Sequence, residues 1–77
     1  MTVVRVPTTG DEDVEPEVLA IYVAVGQRVQ EGEPIAEISF DKVDVEVAAP
    51  HEGVVTAVYV AVGDVVALGA DIAAIER

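Results

Sequence analysis

The sequence predicts an all-β domain, a flattened barrel or sandwich of two four-stranded antiparallel sheets with pseudo-two-fold symmetry. Three observations lead to this prediction. Just over half of the residues are apolar, but they are mostly Val, Ala and Ile with three aromatic residues, which favours strands around a thin core. An internal repeat divides the chain into two related halves. Glycines occur at matching places in both halves, where turns between short strands are expected.

The repeat aligns residues 21–40 with residues 58–77 at an offset of 37, and ten of the twenty positions are identical. The identical pairs are Tyr22/Tyr59, Val23/Val60, Ala24/Ala61, Val25/Val62, Gly26/Gly63, Val29/Val66, Gly32/Gly69, Ile35/Ile72, Ala36/Ala73 and Ile38/Ile75. Two copies are too few for a solenoid, which needs roughly three or more stacked repeats. They fit a two-fold arrangement inside one small domain, which we expect to span residues 1–77.

The order of elements follows from the repeat. Each copy is interpreted as an apolar strand, a Val-Gly turn, a very short strand, a second glycine turn and a closing strand. Leading strands near residues 3–6 and 43–48 bring the total to about eight, as in a barrel-sandwich hybrid. We expect residues 35–40 to pair with 43–48. The pseudo-two-fold then pairs the last strand with the first, which places the termini side by side and Lys42 at the opposite end.

The charge of the chain limits its partners. Fifteen acidic residues against four Lys or Arg give a formal net charge of -11. Nucleic acid and an anionic membrane surface are therefore poor partners, because phosphate groups are bound by clustered cations. A protein partner with a basic docking face fits better. High net charge is also typical of a small β-domain that stays monomeric in isolation.

Missing residue types narrow the class of protein further. Without cysteine the chain forms neither disulfides nor thiolate metal sites. No apolar run approaches the roughly 18 residues of a membrane span, and the N-terminal residues lack the features of a signal peptide. We expect a soluble intracellular domain in the bacterial cytoplasm, with the mitochondrial matrix as the alternative.

Lys42, the only lysine, lies in the stretch SFDKVDVEV between two alternating segments. The alternation predicts that Ala36, Ile38, Phe40, Val43, Val45 and Val47 face inward while Glu37, Ser39, Asp44 and Glu46 face water. Asp41 and Lys42 remain as a two-residue loop. Such loops favour Asn-Gly or other glycine pairs because the backbone adopts positive φ, so Asp-Lys is a poor choice on turn chemistry alone.

A single amine on a rigid hairpin tip suits covalent attachment of a group that must enter another protein's active site. A lysine used only for solubility would have others like it. Asp41 and Asp44 favour the protonated amine, so the pattern does not predict an activated nucleophile. No acid/base pair or nucleophile with an activating partner is found elsewhere, and we expect no enzyme activity and no catalytic residues.

The motifs resemble the lipoyl domains of 2-oxo acid dehydrogenase acyltransferase components over essentially the whole chain. The similarity includes VxVPxxG at residues 4–10, the segment from Leu19 to Ile35, DKVDVEVAAPHEGVV and the closing VxVGDVV. Its most specific part is Asp41-Lys42 followed by Glu46-Val47, Pro50 and Gly53, where the family shows Asp-Lys-Ala, a Glu, an apolar residue and Pro-x-x-Gly. This chain departs from the family in having Val43 after the lysine and Ser39-Phe40 before the aspartate.

The resemblance implies that Lys42 carries lipoic acid in amide linkage and acts as a swinging arm. The implied partners are a thiamine-dependent decarboxylase, an acyltransferase core and a flavin-dependent dihydrolipoyl dehydrogenase. A lipoate ligase or a lipoyl/octanoyl transferase would attach the group, with Asp41 and Val43 as recognition residues beside Lys42. The loop after the first strand would help the decarboxylase to recognise its carrier. That loop contains Thr8, Thr9, Gly10, Asp11, Glu12 and Asp13.

Two alternatives remain open. Biotinyl domains share the fold and the lysine position, but they typically flank the lysine with Met on both sides, whereas here Asp41 and Val43 flank it. A non-covalent acidic interaction module is the alternative from another class, and Lys42→Arg would leave its function intact.

Two other features of the sequence, an acidic run and a single histidine, are not predicted to form a metal site. The acidic run from Asp11 to Glu17 lacks the ligand spacing of a calcium loop and is read as solvated. His51 has no second His or Cys nearby in the sequence, so we expect a solvated turn histidine and no metal site.

Overall fold

A computed structural model describes residues 1–8 and 14–77. The described residues form seven strands, all paired antiparallel: β1 (Thr2–Arg5), β2 (Glu17–Ile21), β3 (Arg28–Val29), β4 (Pro34–Ser39), β5 (Asp44–Ala48), β6 (Gly53–Val58) and β7 (Asp71–Glu76). A four-stranded sheet has the order β1-β7-β6-β3, and a three-stranded sheet has the order β2-β4-β5. The all-β prediction with two antiparallel sheets is confirmed.

The predicted strand pairing is also confirmed. β4 pairs with β5 up to the Ser39↔Asp44 pair beside the Lys42 loop. β1 pairs with β7, and Thr2 lies opposite Ile75, so the two termini lie side by side. Lys42 therefore lies in the turn between two strands of the three-stranded sheet, whereas the termini meet in the four-stranded sheet.

The pseudo-two-fold is visible bond by bond in the backbone. Gly26 N–H donates to Val55 C=O at 2.7 Å, and its counterpart Gly63 N–H donates to Val18 C=O at 2.8 Å. Positive φ values of 92° and 93° at these two glycines produce the same turn twice. The repeat found in the sequence is thus a repeat of hydrogen-bond geometry.

The second sheet has three strands because its expected fourth strand is a single bridge, Glu17↔Val65. In the four-stranded sheet the matching strand β3 has two pairs, Arg28↔Val54 and Val29↔Gly53. The counterpart of Gly53 is Pro16, which has no N–H to donate, so only Val66 N–H bonds to Pro16 C=O, at 2.8 Å. Proline therefore ends the ladder after one pair.

The first strand of each repeat copy lies earlier than the apolar pattern predicts. β2 ends at Ile21 and β6 ends at Val58, where the repeat begins. The following apolar residues approach a turn, in which Gln27 N–H donates to Ala24 C=O at 3.1 Å. Val23 is buried there and Val25 is exposed. The apolar run contributes one side chain to the core without continuing the strand.

The core is built from small branched side chains, as the composition predicts. Ile35, Ile38, Ile72 and Ile75 are fully buried and form two pairs related by the repeat. Burial of such side chains contributes about 1.5–3 kcal/mol each. No charged or polar residue among residues 1–8 and 14–77 is classed as buried. In the same part of the chain, no helix is long and apolar enough to cross a membrane.

Candidate functional site

The Lys42 loop is a compact turn held by two backbone bonds. Phe40 N–H donates to Val43 C=O at 2.8 Å, and Lys42 N–H donates to Phe40 C=O at 3.0 Å. The Phe40 side chain is buried in the core and anchors the turn from below. The lysine backbone is therefore fixed relative to the sheet, because the residue two positions before it cannot move without opening the core.

Asp41 carries the conformational cost of this turn. Its φ is 75°, and among the described residues it is the one non-glycine residue with positive φ. A bond from residue i+2 to residue i around a central residue with φ near +75° defines a strained γ-turn. The mismatch between Asp-Lys and ordinary hairpin chemistry is thus real, and the backbone strain is located at the residue before the lysine.

The Lys42 side chain is exposed. Within the described residues no hydrogen bond or ion pair joins its amine to another side chain; the two ion pairs there are Arg5 with Asp71 and Arg28 with Glu52. An exposed primary amine at a fixed position can accept an acyl group in an amide bond. No group of three or more metal-binding side chains occurs in the part of the chain that the structure describes.

The prediction that Val43 faces inward is wrong. Its side chain is 58% exposed, whereas Val45 is half-buried and Val47 is buried. The reason is that β5 begins only at Asp44, so the strand alternation does not set the direction of Val43. The lysine is therefore flanked by an acidic and an apolar side chain that are both exposed.

The outer face of the three-stranded sheet is acidic next to the hairpin. Glu37 and Glu46 are cross-strand partners, and Tyr22 Oη donates to Glu37 Oε1 at 3.3 Å. The pKa of Tyr22 is raised, first by partial desolvation of the ring, then by the charge of Glu37, by the hydrogen bond to it and by the charge of Glu46. A phenol beside two carboxylates resists ionisation.

The Tyr59→Phe variant keeps Tyr22 as its only tyrosine. In an ultraviolet titration of this variant we expect the Tyr22 phenol to ionise above the ordinary tyrosine pKa of about 10. Adding Glu37→Gln should lower the Tyr22 pKa. Because the folded pKa exceeds the unfolded one, the stabilisation is present below pH about 10 and is lost as pH rises through the raised value. An ordinary phenol titration in Tyr59→Phe would contradict the Tyr22–Glu37 contact.

The loop assigned to partner recognition is only partly described. Thr8 is exposed. The other five residues, Thr9, Gly10, Asp11, Glu12 and Asp13, lie outside the described residues. Their assignment stays a prediction.

His51 differs from the expected solvated turn residue. It is half-buried; its Nδ1 lies 2.6 Å from the Glu52 carbonyl oxygen, and its Nε2 lies 2.8 Å from Thr2 Oγ1. Because a carbonyl only accepts, Nδ1 carries the hydrogen and Nε2 accepts from the Thr2 hydroxyl when the ring is neutral. The histidine ties the turn before β6 to β1, a link across 49 residues that no local sequence signal indicates.

Comparison with known proteins adds independent findings. Residues 2–75 match the sequence model of the Biotin_lipoyl family, described as "Biotin-requiring enzyme". The chain is 35% identical over 72 residues to a dihydrolipoyllysine-residue acetyltransferase component of pyruvate dehydrogenase complex from Mycobacterium tuberculosis, covering 94% of this chain and 13% of that protein. A protein of the same description from Corynebacterium glutamicum is 36% identical over 74 residues, with coverage of 96% and 11%. The chain thus spans only a small part of these relatives.

The fold also matches a solved structure. The solution structure of the lipoyl domain of the 2-oxoglutarate dehydrogenase complex from Azotobacter vinelandii superposes with a TM-score of 0.77, at 24% identity and 96% coverage of both chains. At that level of identity the match supports the fold.

Proposed function

This chain belongs to the Biotin_lipoyl family, and from that membership we propose that it is a lipoyl carrier domain in which Lys42 bears lipoic acid in amide linkage. The observation that carries the proposal is the position of Lys42. The only lysine of the chain is exposed on a turn whose backbone is fixed by Phe40.

Lipoate is favoured over biotin by the residues that flank the amine. Asp41 and Val43 replace the Met residues that typically flank the lysine in biotinyl domains, and the sole Met of this chain is Met1. The similar acetyltransferase components are named for a dihydrolipoyllysine residue. Biotin attachment at the same amine is the alternative.

The residues at the tip fit the group chemically. A deprotonated Lys42 amine would attack the carbonyl carbon of an activated lipoyl acyl group, such as an acyl adenylate made with ATP; the amide bond forms as AMP leaves. Exposure of Lys42 lets this amine enter a modifying enzyme, and the fixed turn presents it without a further cost of ordering. When bound, the lipoyl group supplies a disulfide that can be reduced and can carry an acyl group.

The chain's own part in the reaction cycle is mechanical. Phe40 and the Asp41 turn hold the arm's attachment point away from the core, and no group of three or more metal-binding side chains occurs among the described residues. We place the domain in the acyltransferase chain of a 2-oxo acid dehydrogenase complex, as a non-catalytic carrier. It would serve the decarboxylase, the acyltransferase core and the dihydrolipoyl dehydrogenase in turn. Tethering would keep the arm at an effective concentration of about millimolar near each site.

Intact mass measurement tests the proposal. After incubation with a lipoate ligase, lipoate and ATP, the domain should gain about 188 Da, the mass of lipoic acid less water. Proteolytic fragments should place the gain on Lys42. A gain of about 226 Da after incubation with a biotin ligase, biotin and ATP, without one from lipoate, would establish biotin attachment instead. An unmodified chain in both reactions would contradict the carrier function.

We expect Asp41→Asn and Val43→Asp each to slow lipoylation several-fold. Both side chains are exposed beside the amine, so the modifying enzyme contacts them, and their loss should change the free energy of unfolding by less than about 0.5 kcal/mol. Rates from the mass assay and urea unfolding check the two statements. Unchanged lipoylation rates in both variants would remove these residues from the recognition set.

The acidic loop is proposed as the decarboxylase contact. Neutralising Asp11, Glu12 and Asp13 together should slow reductive acylation of the lipoylated domain by its cognate decarboxylase, because a basic docking face would lose its counter-charges. The rate of lipoylation in the mass assay serves as the control and should change less.

A further inference from the structure

A continuous row of side chains runs from the Lys42 hairpin across the three-stranded sheet. Asp44 lies opposite Ser39, Ser39 lies opposite Glu17, and Glu17 lies opposite Val65. Cross-strand partners project from the same face of a sheet. Three interstrand steps of about 4.8 Å place Val65 roughly 15 Å from the β5 edge of the row. Every residue in the row therefore lies close to the lysine end of the domain.

Two apolar side chains on this face are exposed. Val65 is 65% exposed, and Leu19, two residues after Glu17, is 37% exposed. Leu19 is the unpaired residue of a β-bulge between Val18 and Ala20, and its exposure places it on the outer face, where Ala20 pairs with Glu37. Together with the exposed Val43 these residues are the apolar members of the lysine end of this face, which we call the tip-side surface. Its acidic members are Glu17 and Asp44.

The pseudo-two-fold provides an internal control for this surface. At an offset of 37 the counterpart of Leu19 is Thr56, whose hydroxyl donates to Ala74 C=O at 3.4 Å. The counterpart of Val65 is Arg28, which lies 4.0 Å from Glu52. The same fold positions are thus polar at the other end of the domain. The fold does not require exposed Leu and Val at these positions, so their presence at the lysine end of the domain needs another reason.

The turn valines do not share this asymmetry. Val62 and its counterpart Val25 are both exposed, at 62% and 65%. Apolar exposure in the turn is therefore a property of the repeat. Among the described residues, Leu19 and Val65 are therefore the exposed large apolar residues that have polar counterparts at the other end.

We propose that the tip-side surface is the contact for the enzyme that attaches the lipoyl group, and this inference rests on the proposed function. The reaction takes place at Lys42 Nζ itself, so that enzyme must close around the tip, and exposed side chains of the row that leads to the Lys42 hairpin are placed to meet the rim of its active site. A decarboxylase reacts at the far end of the arm and can stay more distant. The complementary surface is an apolar patch for Leu19, Val43 and Val65, bordered by Lys or Arg side chains that face Glu17 and Asp44.

The pseudo-symmetry also supplies variants that the fold already tolerates. The double variant L19T/V65R gives the lysine end the residue types found at its counterpart positions, Thr56 and Arg28. The double variant R28V/T56L is the matched control, because it places Val and Leu at the opposite end of the domain. With a lipoate ligase, lipoate and ATP, we expect L19T/V65R to raise KM for the domain about tenfold while kcat changes little. R28V/T56L should keep wild-type constants. Melting temperatures verify that both variants fold.

Two further variants separate charge from contact area. L19T/V65Q adds no charge and should also raise KM, and V65Q alone, which disturbs the sheet least, should raise it by a smaller factor. Unchanged KM in all three tip-side variants, with wild-type lipoylated normally, would overturn the inference and leave the proposed function standing. Normal KM with slowed reductive acylation would assign the surface to the decarboxylase and also overturn it. Failure of wild-type to be lipoylated would instead contradict the proposed function.

Discussion

Lys42→Arg should abolish the lipoyl mass gain completely while leaving the melting temperature unchanged. Arginine keeps the positive charge and nearly the length of the side chain, but its guanidinium stays protonated and does not accept an acyl group as an amine does. Because Lys42 is exposed and makes no side-chain bond to a described residue, its replacement removes no folding interaction within that part of the chain. Intact mass after incubation with ligase, lipoate and ATP is the measurement.

A second amine tests whether the tip or merely a lysine is recognised. The double variant K42R/R28K keeps one lysine but moves it to an exposed position on β3, with 64% of that side chain accessible in the wild-type arginine. We expect no mass gain in this variant. Lipoylation at position 28 would mean that the modifying enzyme does not need the geometry of the Lys42 turn to recognise its lysine.

The same substitution separates the two classes of function. A carrier loses its role in a reconstituted complex when Lys42→Arg blocks attachment, whereas an acidic interaction module keeps it. Full overall activity of a complex assembled with the Lys42→Arg chain would therefore favour the non-covalent module. We expect complete loss, because the arm has no other attachment point on this chain.

Gly53→Ala should cause the largest loss of stability among single alanine substitutions of the five glycines that the structure describes. A Cβ at position 53 would lie 2.6 Å from the Glu76 carbonyl oxygen and 2.8 Å from Ile75 Cγ2, far inside van der Waals contact. β6 and β7 would have to separate at the Val54↔Glu76 pair to relieve the clash. We expect a loss of about 3 kcal/mol, at the upper end for overpacking, measured by urea unfolding.

Gly26→Ala is the matched control for this prediction. Gly26 has φ of 92° and nothing within 4 Å of its ideal Cβ, so this substitution costs backbone strain alone, about 1–2 kcal/mol. Gly53 has no such positive φ, and its substitution costs contact alone. If both variants lost the same free energy of unfolding, the close approach of β7 to Gly53 would not be limiting. A stable domain of this size has a total free energy of unfolding of roughly 4–11 kcal/mol. The expected losses for Gly53→Ala and Gly26→Ala are large fractions of that total, so they can be measured and told apart.

Much of the fold follows from patterns that the sequence repeats. Ten identities at a fixed offset require two similar units, and alternation around Lys42 predicts the hairpin of β4 and β5. Symmetry then requires β1 to pair with β7. These predictions succeed because strand period and glycine turns are local properties, and because one long-range pairing fixes the other once the two-fold is known.

The sequence predicted the central residue of the candidate site, Lys42, but not the arrangement of the side chains around it. A single lysine in an acidic chain stands out by composition, and the family resemblance supplies its role. The exposure of Val43 was not predicted, since strand alternation was extended one residue into the turn. The His51–Thr2 contact was missed because its partners are 49 residues apart and carry no shared motif.

The sequence alone determined the all-β class, the two related halves and the amine that the tip presents, because each is written in local periodicity or composition. Tertiary structure alone decided how the two halves differ. Pro16 facing Val66 ends one ladder that Gly53 continues in the other, Asp41 takes the strained turn, and Val65 joins the cross-strand row that leads to the Lys42 hairpin. Each of these depends on which distant residues meet across the sheets, and spacing along the chain does not encode that.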